Sequence, residues 1–481
     1  MPEAHDTGTG SWDKTFTSAA NAVDMLAANA RGKRMTDPAI AALRSRLRGT
    51  LVLPADAAYD EARAVWNAGI DRRPTAVARC ADTTDVIRAL EVARGRGLPI
   101  AVRGGGHSFA GKGTCDGGIV IDCSPMKTVD VDVPRRVARA GGGCTLGDLD
   151  GATQAHGLAT TLGTAPPTGI AGLTLGGGLG WLMGRFGLAC DNLVGADVVT
   201  ADGGVVRASG AEHADLLWGL RGGGGNFGVV TALEYRLHPV DTVLGGAITY
   251  PASSARDVFR AYRDVTATAP DELTAYVGIQ PLATGPAFGV AACWSGDLAA
   301  GERTVAPLRR IGPPVDDGMR ALPYLEMQSL LTPPPMRVGS YARSSFLREL
   351  DDAAIDALAT RVGAPSPGVS IFFLEHLHGR ASASGPGDSA FSHRRPGYSF
   401  AALSIWIDPA ESDACTTWVR EFFAEMAPFL ASGVYSNYLA GDEGDARVRA
   451  AYGPAWDRLV ALKRVYDPDN VFRLNQNVTP G

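Results

Sequence analysis

Between positions 103 and 228 the chain repeatedly forms glycine-rich turns edged by polar residues: RGGGHSFAG at 103–111, GGG at 141–143, GGGLG at 176–180, RFGLACDN at 185–192 and RGGGGNFG at 221–228. Consecutive backbone N–H groups in such turns can converge on an anion, and glycine alone accepts positive φ without penalty, so a pyrophosphate lying against bare backbone is the chemistry they suit. Two commoner phosphate loops are excluded. The first loop has no following G-K-[ST] to carry a lysine to a terminal phosphate. Gly223, Gly225 and Gly228 fit G-x-G-x-x-G but precede the alternating run VVTALEYRL instead of opening a helix. Farther on, in IFFLEHLHGR, period-two alternation puts His376 and His378 on one side of a strand and Glu375 on the other. An H-x-H pair can ligate metal, but no third ligand is evident and no metal is expected. Seven cysteines without a C-x-x-C pair encode neither a zinc knuckle nor a disulfide framework, so buried free thiols are expected.

The elements that must position these groups are partly readable. Thr75 to Arg79 alternates like a strand, Asp82 or Thr83 can cap a helix with Val86, Ile87, Leu90 and Ala93 on its apolar face, and Gly95 and Gly97 end it. Pro99 to Arg103 and Ile119 to Ile121 read as strands on either side of the first glycine loop, and Gly195 to Ala201 and Val229 to Leu237 as later ones. From about Val240 glycines thin out. Val369 to His378 and Ser399 to Ile407 belong to a second domain ending near Gly433, and Ala446 to Tyr466 reads as one amphipathic helix before the amide-rich tail YDPDNVFRLNQNVTP.

A chain of 481 residues exceeds what one core normally organises, so two domains or a split domain are expected. With a net charge of −6 and no basic runs, nothing supplies the positive stripe that nucleic acid requires. Residues 1–35 are polar and carry no apolar stretch of the length a secretory signal or membrane helix needs, so a cytoplasmic protein with no membrane partner is expected.

The ordered motifs RGGGHSFAG, TGIAGLTLGGGLGWLMGRFGLACDNLVGADVVTADG (168–204), DLLWGLRGGGGNFGVVTALEYRL (215–237), YSNYLAGDEG and YDPDNVFRLNQN resemble the berberine bridge enzyme-like branch of the vanillyl-alcohol oxidase superfamily of FAD-linked oxidases. The resemblance implies an α+β fold: a split PCMH-type FAD-binding domain, residues 36–239 plus 440–481, with an antiparallel-sheet substrate domain inserted over 240–439. It implies FAD joined covalently to His107, a residue type whose neutral imidazole is a competent nucleophile. Many members add a cysteine link to the flavin. Alignment on Gly169 and Gly172 puts Ala165 at that place, so a single link is implied, and Cys190 is taken as structural. The matched motifs assign Arg103, Gly104, Gly105, Gly106 and Ser108 to the pyrophosphate, and Thr168, Gly169, Gly177, Gly178 and Gly180 to the flavin and ribityl side. Asn192, Gly225, Asn226 and Val230 go to the remaining parts, and Asn475 and Asn477 to the isoalloxazine edge. Tyr438 is the first candidate for the base, provided a neighbouring cation or donor depresses its pKa; a packed aromatic is the alternative. Glu375, His376 and His378 are the second group, while His393 and Arg394 are architectural or rim residues. The implied reaction is oxidation of an alcohol, a sugar or a biosynthetic intermediate with molecular oxygen as acceptor; oxidative ring closure and flavin binding without turnover are the alternatives.

Overall fold

A computed structural model describes residues 37–282, 285–332 and 336–481. The tail read over residues 1–35 lies outside the described residues. Three large sheets, and a two-stranded one that pairs Leu158–Ala159 with His238–Pro239, make up the strands of the described residues. The first has four strands in the order Thr50–Val52, Ala76–Arg79, Ile119–Asp122, Ile100–Arg103; the first pair is antiparallel and the others are parallel. Ile119–Asp122 is buried along its whole length, as an internal parallel strand must be. The helix Thr83–Gly95 starts where Asp82 accepts from Asp85 N, buries Val86, Ala89, Leu90 and Ala93, and is followed by Gly97 at φ +62°. Ala89 takes the buried place expected for Ile87, which is only half-covered.

The second sheet is antiparallel throughout, in the order Val129–Asp132, Val137–Gly141, Val229–Arg236, Leu193–Val199, Val205–Ser209. The G-x-G-x-x-G match therefore runs into a strand, as its sequence context requires.

The third sheet has eight strands, and its long members run antiparallel in the order Thr242–Thr249, Gly285–Trp294, Leu273–Leu282, Val369–Leu377, Gly397–Trp406, Gly339–Leu347. Its two faces do different work. Phe372, Leu374, Phe400 and Ala402 pack in one core with Phe259 and Tyr262 of the helix Ala255–Ala267, Ile355 and Leu358 of Asp352–Arg361, and Phe422 of Ser412–Met426. The alternate residues, Ile371, Phe373, Glu375, Ala401 and Leu403, face a cavity.

The C-terminal segment differs from the single helix expected over 446–466. Two helices form, Asp445–Tyr452 and Trp456–Tyr466, because Gly453 adopts φ +48° and Pro454 cannot donate to the ladder. On the second helix Lys463 is fully buried and donates to Asp467 Oδ2 at 2.7 Å, Phe472 O at 2.9 Å and Asn226 O at 2.8 Å. That one ammonium ties the tail to the last glycine loop.

Candidate active site

The glycine loops and the third sheet enclose a cavity of about 1080 Å³. Its first wall is the 104–108 loop, which the polypeptide can bring in only with glycine. A Cβ on Gly105 would stand 2.3 Å from Gly169 N, and one on Gly169 would stand 2.3 Å from Gly105 N, so the two loops touch backbone to backbone. Gly106, at φ +71°, turns the chain so that His107 follows into the cavity. The ring of His107 stacks on Trp66, with centroids 5.1 Å apart and planes 18° apart, and burial pushes its pKa down to about 4. The imidazole is therefore neutral at pH 7, with a nitrogen lone pair to share.

Arg103 lines the same wall, but its guanidinium is committed to Asp122 Oδ2 at 2.7 Å, Ala62 O at 2.6 Å and Ala64 O at 3.1 Å. It braces the loop and offers no free charge to a phosphate. Ser108, Thr168, Gly225, Val230 and Asn475 also line the cavity, as does Ala165. Cys190 does not; it is buried beside Asp191 and Arg394. Cys123 is the cysteine on the wall, and burial lifts its thiol to about 12.

At the sheet side stand Tyr438 and Glu375. The Tyr438 hydroxyl donates to Glu375 Oε1 at 3.1 Å, while Oε2 is buried with no partner among the described residues. Burial raises Glu375 to about 7, and the hydroxyls of Ser399, opposite it in the ladder, and Tyr438 partly offset this. Burial, reinforced by the Glu375 charge, lifts Tyr438 well above 10. The phenol has a carboxyl and no cation beside it, so the neighbour that would depress the Tyr438 pKa is not among its described contacts, whereas Glu375 is raised toward neutrality. Glu375 is also the only Asp or Glu among the described cavity-lining residues.

His376 does not join them. As the alternation requires, it lies on the opposite face of its strand, stacked on His378 with ring centroids 4.3 Å apart, and burial holds it down at about 3. Six cofactor candidates also stand off the cavity wall. A Cβ on Gly177 would meet Phe391 at 2.8 Å, on Gly178 it would meet Ala189 Cβ at 2.3 Å, and on Gly180 Leu162 O at 1.5 Å, so these glycines serve protein packing. Asn192 bonds Phe186 O, Leu188 O and His238, and Asn226 bonds Gly223 O, Gln476 O and Val478 N. Asn477 is likewise absent from the lining, although Asn475 is present. His393 accepts its place between carbonyls of Ala450 and Ala451, and Arg394 pairs with Asp191, so both hold the framework together.

Sequence reasoning missed Trp66, Phe109, Lys112, Tyr276, Gln280 and Tyr435, all of which line the cavity. Phe109 and Lys112 adjoin the His107 motif and were within reach; Trp66 and Tyr276 come from strands and turns with no motif. Tyr435 accepts from Gly178 N at 2.8 Å and from Asn437 Nδ2 at 2.7 Å, which ties the glycine loop to the segment bearing Tyr438. Among the described residues no group of three or more His, Cys, Asp or Glu could hold a metal, and no helix is long and apolar enough to cross a membrane.

A glycine-lined cavity with a neutral histidine at one wall and a raised carboxyl at another defines a cofactor-dependent enzyme site. The comparisons give the cofactor. A family model described as an FAD binding domain matches residues 74–209, and one described as berberine and berberine like matches 434–479. The (R)-6-hydroxynicotine oxidase of Paenarthrobacter nicotinovorans is 32% identical over 457 residues, covering 90% of this chain and 97% of that protein. The crystal structure of 6-hydroxy-D-nicotine oxidase from Arthrobacter nicotinovorans superposes with a TM-score of 0.83 at 30% identity over 90% of this chain and 98% of that one. Glucooligosaccharide oxidase from Acremonium strictum, described with a 6-S-cysteinyl, 8α-N1-histidyl FAD, gives 0.82 at 25% identity over 92% and 99%. The chain belongs to the berberine bridge enzyme-like FAD-linked oxidoreductases, and it is an FAD-dependent oxidoreductase.

The cavity suits that cofactor on its own geometry. Gly172 and Gly225 line it, yet a Cβ on either would meet nothing within 4 Å, so their bareness leaves room for something other than protein. Tyr276 OH, Gln280 Oε1, Glu375 Oε2 and Asn475 Oδ1 are buried on its lining without a partner among the described residues, which a bound ligand would relieve.

Proposed function

We propose that this protein oxidises a small organic substrate, an alcohol, a sugar or a biosynthetic intermediate, with molecular oxygen as final acceptor and Glu375 as the base. The observation that carries this is the Glu375 carboxyl on the cavity wall, with one oxygen held by Tyr438 and the other buried without a partner among the described residues. When bound, FAD supplies the acceptor for a hydride and passes the electron pair to oxygen. Glu375 Oε2 accepts the proton leaving the substrate's hydroxyl or amine group, and the Tyr438 hydroxyl stabilises the carboxylate before transfer and orients it. The apolar surroundings exclude water, which keeps the carboxyl's proton affinity near neutrality.

FAD is tethered through His107 alone: the neutral imidazole and its Trp66 stack support the tether, and Ala165 on the cavity wall offers no thiol for a second one. Gly104, Gly105, Gly106 and Ser108 present their backbone to the pyrophosphate. Thr168, Gly169, Gly225, Val230 and Asn475 complete the cradle. The division at about residues 239 and 439 into a split FAD-binding part and an inserted sheet is supported by the third sheet starting at Thr242 and the helix after it ending at Met426. A cytoplasmic location is supported by seven buried, free cysteines, which suit a reducing compartment.

The test is anaerobic mixing with a substrate panel, followed by admission of air. Bleaching of a yellow protein, then recovery with peroxide release, is the expected result. A Glu375→Gln protein that bleaches as fast as the wild type removes the carboxyl from the mechanism.

A further inference from the structure

Resting on the reading that FAD and a Glu375 base share this cavity, we infer that the substrate is a flat, largely apolar molecule, an aromatic or fused-ring alcohol or amine, and not a sugar or oligosaccharide. The polarity of the wall leading away from Glu375 points to this. On the strand Val369–Leu377 every second residue lines the cavity, and below Glu375 these are Phe373, Ile371 and Val369. The neighbouring strand sets Ala401, Leu403 and Ile405 directly beside them in register. From Glu375 to Val369 the wall is six residues long, about 20 Å at a strand's rise of about 3.3 Å per residue, and those six side chains carry no polar atom. Val369 is 39% exposed, so the apolar wall reaches solvent and gives an approach to the carboxyl.

Ring geometry at the inner end fits a planar group. Phe109 stands edge-on to Tyr438 with centroids 6.0 Å apart and an interplanar angle of 79°, and Phe373 stands edge-on to the same ring at 6.3 Å and 80°. Phe109 also packs on the Ala342, Ile371 and Leu403 patch. Aromatic rings favour such edge and offset contacts, so a fused-ring substrate beside Tyr438 meets surfaces shaped for it. A sugar does not. Each of its carbons brings a hydroxyl that must leave water, and along this wall those hydroxyls find no acceptor or donor; an unpaired buried hydroxyl costs more than burial of its carbon returns. Polar side chains are few on the adjoining strand: Tyr276 lies opposite Glu375 in the ladder with its hydroxyl unpartnered, and Gln280, four residues further along, spends its Nε2 on Tyr276 O and Gly289 O and keeps Oε1 as a single free acceptor. They suit one oxidisable hydroxyl or amine, not a ring of them.

The experiment uses the yellow holoenzyme with 2-naphthalenemethanol and cellobiose as probes, read by thermal melting and by anaerobic bleaching. The expected result is a concentration-dependent rise in Tm and bleaching with the naphthalene alcohol, and neither with cellobiose at the same millimolar concentrations. Ile371→Asn and Leu403→Asn should each weaken the naphthalene-induced shift at least tenfold in ligand concentration while the protein stays yellow. A shift or bleaching with cellobiose, or no shift with the naphthalene alcohol in the wild type, overturns the substrate class. The underlying reading fails separately: a purified protein without a flavin absorbance band refutes the cofactor before any probe is added. A Glu375→Gln protein that binds the naphthalene alcohol and still bleaches at the wild-type rate refutes the base but leaves the substrate class standing.

Discussion

Tyr438 and Glu375 form a donor–acceptor pair, and the proposed reading gives the proton transfer to the partner with the lower proton affinity. With Glu375 held near 7 by burial, the acid form is inactive and kcat/KM should rise with pH through about 7 and level off above it. Glu375→Gln should slow flavin reduction by about 10²- to 10⁴-fold with a smaller change in substrate affinity, as read by stopped-flow bleaching. Tyr438→Phe removes a hydrogen bond that favours the carboxylate, so its acid limb should move to higher pH: about tenfold slower at pH 7 and nearly wild-type at pH 9. A profile that keeps its midpoint would show that the phenol does not act on the carboxyl. His107→Ala should leave the flavin in the supernatant after acid precipitation, whereas the wild-type pellet stays yellow. At this scale the residue types were legible and their ranking was not. Tyr438 and Glu375 are 63 positions apart, and only their contact shows that each perturbs the other.

The loops and helices set where those groups stand, and their tolerance of change follows from how closely backbones approach. Gly105→Ala places a methyl against Gly169 N, so it should lose flavin and destabilise the protein by about 1–3 kcal/mol. Gly172→Ala is the contrasting case. It sits in the helix Ile170–Leu175 where a Cβ meets nothing, so Tm should hold or rise while flavin retention falls, because the methyl enters the cavity. Parallel melting and absorbance measurements separate the two effects. Lys463→Met leaves Asp467 buried without its cation and releases Phe472 O and Asn226 O, and about 3–5 kcal/mol of stability should go with it in denaturant titration. Glycine clusters, the Asp82 cap and period-two strands were readable because they are local. The helix break at Gly453-Pro454 was also written locally and was overrun by the apolar periodicity on either side of it.

Across the whole molecule, the second raised carboxyl is Asp150, buried, accepting from Gln328 Nε2 at 2.7 Å, and lifted from 3.8 to about 7 by burial. A folded-state pKa above the unfolded one means that folding holds a proton the unfolded chain releases, so the cost grows as pH rises from about 4 to about 7 and is constant above. Asp150→Asn removes that cost while keeping an acceptor for Gln328. The variant should match the wild type near pH 4 and exceed it by up to about 4 kcal/mol at pH 8, as measured by urea denaturation at both values. A difference independent of pH would mean that Asp150 does not titrate on folding. By itself the sequence determined the family, the cofactor, the three-glycine approach to His107 and the alternation that parts Glu375 from His376, since each depends on residues adjacent in the chain. Which face of that strand meets the cavity, which glycines lie bare to it and which pack against protein, and that Arg103 braces the loop without offering charge were decided only in three dimensions. Orientation and desolvation depend on neighbours brought together from distant parts of the chain, and no local spacing records them.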